Sequence, residues 1–221
     1  MFIEKVLTVR HRQPRPSKRR PAMLLLGPTG SGKTPLGEQL QQCGWQGCRC
    51  HHFDFGRHLR ETAAATEPYR NLSRDDVAIV RHCLRTGALL ENETFEIARK
   101  ILTAFATSRM TTPGDRLVLN GLPRHVGQAR MLADSVSVDT VILLECDAAT
   151  VYERIRRNIG GERNERTDDT RQAVCNRLNT YHRRTLPLAD FYRDAGATII
   201  RLPVDASTAT DTLVRQLTVT T

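Results

Sequence analysis

Residues 22–26 are five apolar side chains in a row, and they run straight into Gly27-Pro28-Thr29-Gly30-Ser31-Gly32-Lys33-Thr34 and then into a helical pattern over Lys33–Cys43. A short apolar run that ends at glycine suits a strand buried on both faces. The eight residues match G-x-x-x-x-G-K-[ST] at every fixed position, in the strand, loop and helix setting that this phosphate loop requires. Glycines let the backbone curl until successive N–H groups point at one spot, where the helix N-terminus adds partial positive charge. The motif assigns a nucleoside triphosphate to Gly27, Gly30, Ser31, Gly32, Lys33 and Thr34, with Lys33 bridging the β- and γ-phosphates and the Thr34 hydroxyl on magnesium. Lysine is scarce here: of 33 basic residues only Lys5, Lys18, Lys33 and Lys100 are lysines, so abundance does not explain the one in the loop.

Beyond the loop the apolar segments stay short. Residues 117–119, 141–144 and 198–202 read as strands, another strand ends at Asp54, and helical patterns cover 74–86, 93–107, 125–134, 147–158 and 168–195. Strands that alternate with helices form parallel sheets covered on both faces. The expected fold is therefore α/β, a parallel P-loop sheet of about five strands sandwiched by helices. With 221 residues the chain builds a full core without disulfides or metal. A phosphate loop alone names no reaction.

The net charge of +9 invites a nucleic-acid partner, but it is unevenly placed. Residues 1–20 hold Lys5, Arg10, Arg12, Arg15, Lys18, Arg19 and Arg20 against Glu4, so they carry six of the nine positive charges. With Pro14 and Pro16 among them, this stretch is expected to be a flexible basic extension ahead of a single folded domain over 21–221, solubilising in the main and able to touch nucleic acid weakly. No apolar run approaches the roughly 20 residues that cross a bilayer. The basic stretch also follows the first apolar residues, unlike the order in a signal peptide. The cytoplasm is the expected address, with no membrane partner. Six scattered cysteines fit reduced thiols. Alternation along a strand would put Cys48, Cys50 and His52 on one face, a set able to ligate a soft metal, but no second ligand pair at zinc spacing accompanies it.

The segment Leu117-Val118-Leu119-Asn120-Gly121-Leu122-Pro123-Arg124, with Gln128 four residues on, resembles the strand and turn of adenylate kinases, where a strand ends in Asp-Gly-Phe/Tyr-Pro-Arg and a glutamine follows the arginine. Residues 154–158 then resemble the opening of that family's lid. Arg166-Thr167-Asp168-Asp169, Arg177-Leu178 with Tyr181, and Thr185-Leu186-Pro187-Leu188 with Tyr192 resemble its further motifs in the same order. The resemblance covers about residues 22–215. It implies a monomeric, magnesium-dependent nucleoside monophosphate kinase that moves the γ-phosphate of ATP to a nucleoside monophosphate, AMP by default. It also implies a monophosphate-binding segment over 52–90 and a short lid over 157–168 without a zinc knuckle. By the same resemblance Arg60 and Arg124 hold the acceptor phosphate, Gln128 reads the adenine edge and Leu90 packs on the base, while Arg166 and Arg177 close over the reacting phosphates. Arginine suits these places because a planar guanidinium binds two phosphate oxygens at once and keeps its charge. Asp54 stands where several other small-molecule P-loop kinases place a substrate-contacting carboxylate, and it equally suits a helix N-cap.

Four positions depart from the family pattern. Asn120 replaces the aspartate that helps hold the magnesium shell through water, Pro35 follows Thr34 where Lys-Gly-Thr is usual, Phe55 replaces a threonine beside the acceptor base, and Arg57 replaces an acidic residue. Asn120 loses a charged hydrogen bond of roughly 1.5–3 kcal/mol, equivalent to about 10- to 100-fold in turnover, and Asp54 is a candidate to supply the missing carboxylate. Pro35 falls in the first helical turn, where no N–H is needed. Phe55 and Arg57 open the alternative of a small acceptor other than AMP. Asn120 opens that of a weakly catalytic nucleotide-binding protein.

Overall fold

The computed structural model describes residues 19–65, 71–159, 161 and 170–220. Its centre is β1 (Arg20–Leu26), whose alternating side chains feed two separate apolar layers. Met23 and Leu25 face Leu36 and Leu40 of α1 (Lys33–Cys43) and Leu213 and Leu217 of α9 (Thr210–Thr220). Ala22, Leu24 and Leu26 face the other way, into a core built with Phe55 and Leu59 of α2 (Phe55–Ala64) and Ile101 and Phe105 of α4 (Phe95–Arg109). A strand with both faces covered has no solvent side, which is why it reads as an unbroken apolar run.

Five strands form one parallel sheet in the order β2 (Cys50–Asp54), β3 (Arg116–Asn120), β1, β4 (Val136–Glu145), β5 (Thr198–Pro203). The five-strand α/β expectation holds. The connection after β1 leads to β2 on one side and that after β3 leads to β4 on the other, and ligands of open α/β sheets bind at such a switch point beyond the strand ends. The register places Asn120 beside Leu25 on one flank and beside Asp54 on the other. Three loops that follow three strands thus open onto one edge. Among the described residues no helix is long and apolar enough to cross a membrane.

Several expectations are corrected. Residues 168–195 are not one helix: α7 (Arg171–Thr180) runs into a wider π-turn (Tyr181–Thr185), and α8 (Leu188–Asp194) starts after it. Pro187 cannot donate a backbone N–H, and the wide turn closes just before it with Leu186 N–H donating to Tyr181 O at 2.8 Å. β1 begins at Arg20, inside the stretch assigned to the basic extension, because Arg20 N–H donates to Ser135 O at 2.9 Å. Residues 1–18 and most of the lid over 157–168, with Arg166, lie outside the described residues. Cys48 sits outside β2, paired with Trp45 in an isolated bridge, so strand alternation does not extend back to it. Among the described residues no group of three or more His, Cys, Asp or Glu could hold a metal ion.

Gly37 of α1 tests the packing of this face. A Cβ there would lie 2.3–2.8 Å from the His52 ring atoms Cδ2, Nε2 and Cε1. Helix propensity favours alanine by about 1 kcal/mol, whereas overpacking a tight contact costs about 1–3 kcal/mol. Gly37→Ala is therefore expected to lower the urea midpoint, and adding His52→Ala to recover part of the loss. Strictly additive losses in the double variant would contradict the contact.

Candidate active site

The phosphate loop is shaped by residues without side chains. Gly32, the N-cap of α1, has φ 97°, and at Gly30, with φ 76°, a Cβ would lie 2.8 Å from Ile155 Cγ1. Only glycine adopts such conformations at little cost. Lys33 folds back over the loop, its Nζ donating to Gly27 O at 2.8 Å and Pro28 O at 2.6 Å. The ammonium is thereby held within the loop by carbonyls. Ser31 is fully buried, with its Oγ 3.4 Å from the same nitrogen. Pro35 is carried in the first turn of α1 without breaking it.

Beside the loop, the ends of β2 and β3 and the first turn of α1 share one polar cluster. Thr34 Oγ1 donates to Asp54 Oδ2 at 2.9 Å, and Asn120 Nδ2 donates to Thr34 Oγ1 at 3.0 Å. The same nitrogen lies 3.4 Å from Asp54 Oδ2 and 3.4 Å from His52 Nε2. Asp54 Oδ1 accepts from Arg57 N–H at 2.9 Å, which caps α2. Asp54 thus fills the N-cap role and joins the site as well. Burial alone would raise its carboxyl pKa, but the hydrogen bonds from Arg57 N–H and the Thr34 hydroxyl outweigh burial and hold it below the ordinary value. Burial drives His52 down to about 4, so its ring is neutral near pH 7 and Nε2 accepts from the amide.

The Arg124 turn is held from several sides. Its guanidinium Nε donates to Gly121 O at 3.1 Å, its N–H to Gln128 Oε1 at 2.7 Å, and its carbonyl accepts from Thr185 Oγ1 at 2.7 Å. Gln128, only 1% exposed, donates through Nε2 to Leu90 O at 2.7 Å, so its amide already meets backbone on both sides. Leu90 turns its side chain into the main core and presents that carbonyl instead. Arg60 lies exposed on α2, and Arg177 is partly buried on α7 (Arg171–Thr180). Phe55 is buried, its ring 6.0 Å from that of Phe53, and Arg57 Nη2 pairs with Glu38 Oε1 at 2.5 Å. A polar cavity of about 350 Å³ reaches Asp54 and is lined also by Glu38, His52, Arg57 and Arg109, without the phosphate loop.

A family model described as adenylate kinase matches residues 25–197 of this chain. The chain belongs to the adenylate kinase family. It is 30% identical to the adenylate kinase of Synechococcus sp. (strain WH7803) over 201 residues, covering 88% of this chain and 95% of that protein. Over 180 residues it is 32% identical to the adenylate kinase of Prochlorococcus marinus (strain MIT 9211), covering 79% and 84%. The adenylate kinase of Stenotrophomonas maltophilia (strain K279a) is 31% identical over 188 residues, covering 79% and 86%. As a member of this family the protein is an ATP-dependent phosphotransferase with a phosphate group as acceptor.

One residue that holds this adenylate kinase fold around its phosphate loop was assigned no role from the sequence. Arg154 of α6 (Ala148–Arg157) is only 4% exposed. Its Nε donates to Gly30 O at 3.0 Å, and its Nη1 to Asp205 O and Thr208 O at 2.8 Å each. The signal was present: Val151, Arg154 and Ile155 fall at helical spacing on one face, which puts an arginine among inward-facing positions. Arg154→Met keeps the aliphatic stem and strips these carbonyls of their donor. We expect a loss of about 2 kcal/mol, read as a fall of roughly 4–8 °C in Tm, together with weaker ATP binding. An unchanged Tm would contradict the bracing role.

Proposed function

We propose that the protein transfers the γ-phosphoryl group of ATP to a nucleoside monophosphate, AMP being the acceptor, in the presence of magnesium. The observation that carries this reading is the anchored Arg124. It follows β3, the strand next to β1, and its guanidinium is tied to Gly121 O in the turn that leaves that strand, which supports a role at the edge onto which the phosphate loop opens. An acceptor phosphate gripped there would be oriented toward the γ-phosphate lying on Lys33.

In the transfer, an oxygen of the acceptor phosphate attacks the γ-phosphorus as the bond to the β–γ bridging oxygen breaks, and ATP and AMP become two ADP. Charge spreads over the equatorial oxygens, so positioning and positive charge do most of the catalytic work. Lys33 serves the transferred group, and Gly27, Gly30, Ser31 and Gly32 offer backbone N–H groups around the phosphates. Arg60 and Arg124 serve the acceptor phosphate, with Asp54, Leu90 and Gln128 shaping its surroundings, and Arg166 and Arg177 serve the reacting phosphates, where excluding water favours transfer over hydrolysis. Magnesium, when bound, neutralises charge on the β- and γ-phosphates. The Thr34 hydroxyl would hold it, since that oxygen donates to Asp54, accepts from Asn120 and keeps one lone pair. The reading carries with it a monomer in the cytoplasm.

Buried Phe55 favours a second reading. An acceptor base near this position meets no hydroxyl, and Arg57 is tied to Glu38. A base other than adenine then becomes the preferred acceptor. We expect ADP formation from ATP and magnesium to be fastest with AMP among AMP, GMP, CMP, UMP and small alcohols, and Arg124→Ala to lower kcat/KM by about 10- to 100-fold. Preference for another monophosphate selects the second reading. No ADP above background with any acceptor overturns both.

A further inference from the structure

We infer that the acidic group of the magnesium shell has moved one strand across the sheet in this protein, from the end of β3 to Asp54 at the end of β2, and that Asn120 is the compensating half of the exchange. This rests on the phosphotransferase reading and names the residue on which its metal dependence turns.

The argument starts from register. Asp54 and Asn120 are direct partners at the ends of neighbouring strands, so a carboxylate on either one reaches the same small volume. That volume is next to the Thr34 hydroxyl, which lies 2.9 Å from Asp54 Oδ2 and 3.0 Å from Asn120 Nδ2. A phosphate-loop hydroxyl on a metal is served by a neighbouring carboxylate, which keeps the hydroxyl proton turned away from the cation. In this chain the Thr34 proton is turned to Asp54. Asp54 therefore holds the relation to the loop hydroxyl that a strand-end carboxylate has in phosphate-loop enzymes.

The identity of residue 120 follows from the same geometry. Asn120 Nδ2 is 3.4 Å from Asp54 Oδ2. A carboxylate accepts hydrogen bonds and never donates when ionised, so the amide nitrogen and not the amide oxygen must face it. Aspartate at 120 would bring two carboxylates to that separation, and like charges so close do not both stay ionised without a cation between them. Asparagine supplies two N–H donors to the cluster, one for Thr34 and one shared toward Asp54 and His52. The pair conserves one negative charge at the loop mouth while changing which strand carries it. Both donors toward a cation, the Thr34 hydroxyl and the Asp54 carboxylate, are hard oxygens, the chemistry that magnesium takes.

A structural role for Asp54 as N-cap of α2 can be separated from this one, because asparagine and serine cap helices as well as aspartate does. The test measures ATP affinity calorimetrically in magnesium and in EDTA, for the full chain and for Asp54→Asn, Asp54→Ser and Asp54→Asn/Asn120→Asp. The ratio of the two dissociation constants reports the metal and does not depend on turnover. In the unaltered protein magnesium is expected to tighten ATP binding. Asp54→Asn and Asp54→Ser are expected to cut that tightening by about tenfold or more, and the double variant to regain most of it. Magnesium tightening unchanged in both single variants, or a double variant no better than Asp54→Asn, overturns the exchange. ADP formation by the unaltered protein is measured alongside: if it is robust while the exchange fails, the kinase reading stands alone, and if ATP does not bind under either condition, both fail.

Discussion

A carboxylate withdrawn from water has to be met by donors or by a cation, and Asp54 is where this demand ties the molecule together. One of its oxygens closes the N-terminus of α2 through Arg57 N–H, and the other receives the Thr34 hydroxyl from the first turn of α1. Asn120 approaches the same oxygen from β3. Two helices and two strands thereby meet at a single side chain, and the phosphate loop hangs between them. Removing the charge disturbs the loop mouth first, since the cap survives many substitutions that the hydroxyl's orientation does not.

Around that point the structure holds two arginines in different ways. Arg154 is buried and spends its donors on the carbonyls of Gly30, Asp205 and Thr208. Arg124 is half-buried, with its backbone N–H on Gln128, its carbonyl on Thr185 and its guanidinium Nε on Gly121 O. A guanidinium with its donors committed to carbonyls stiffens the loop it joins. The amide of Gln128 links Arg124 N–H to Leu90 O, which fixes how the turn after β3 enters the site.

The parallel sheet and the loop were legible because they rest on local rules. A strand buried on both faces must be apolar throughout, and the loop's left-handed residues must be glycine. Gly30 and Gly32 obey that rule. What could not be read was pairing across the sheet. Nothing in a linear pattern puts Asp54 opposite Asn120, so the loss of charge at 120 stood out while Asp54 was named as a candidate replacement with no register to place it there. Arg154 was passed over for a related reason, since its partners lie 51 and more residues away in the chain. The break at Pro187 illustrates the opposite case, a local signal visible in the sequence that periodicity across 168–195 overrode.

The account centres on a metal-nucleotide site at the joint edge of β2, β3 and the phosphate loop, and manganese reports on that position directly. With the protein labelled for amide NMR and saturated with a non-hydrolysable ATP analogue, trace Mn²⁺ broadens the resonances nearest the ion. The strongest broadening is predicted at the amides of Gly32, Lys33, Thr34, Asp54 and Asn120. Broadening centred on another part of the sheet, or none in the presence of the analogue, would contradict the account.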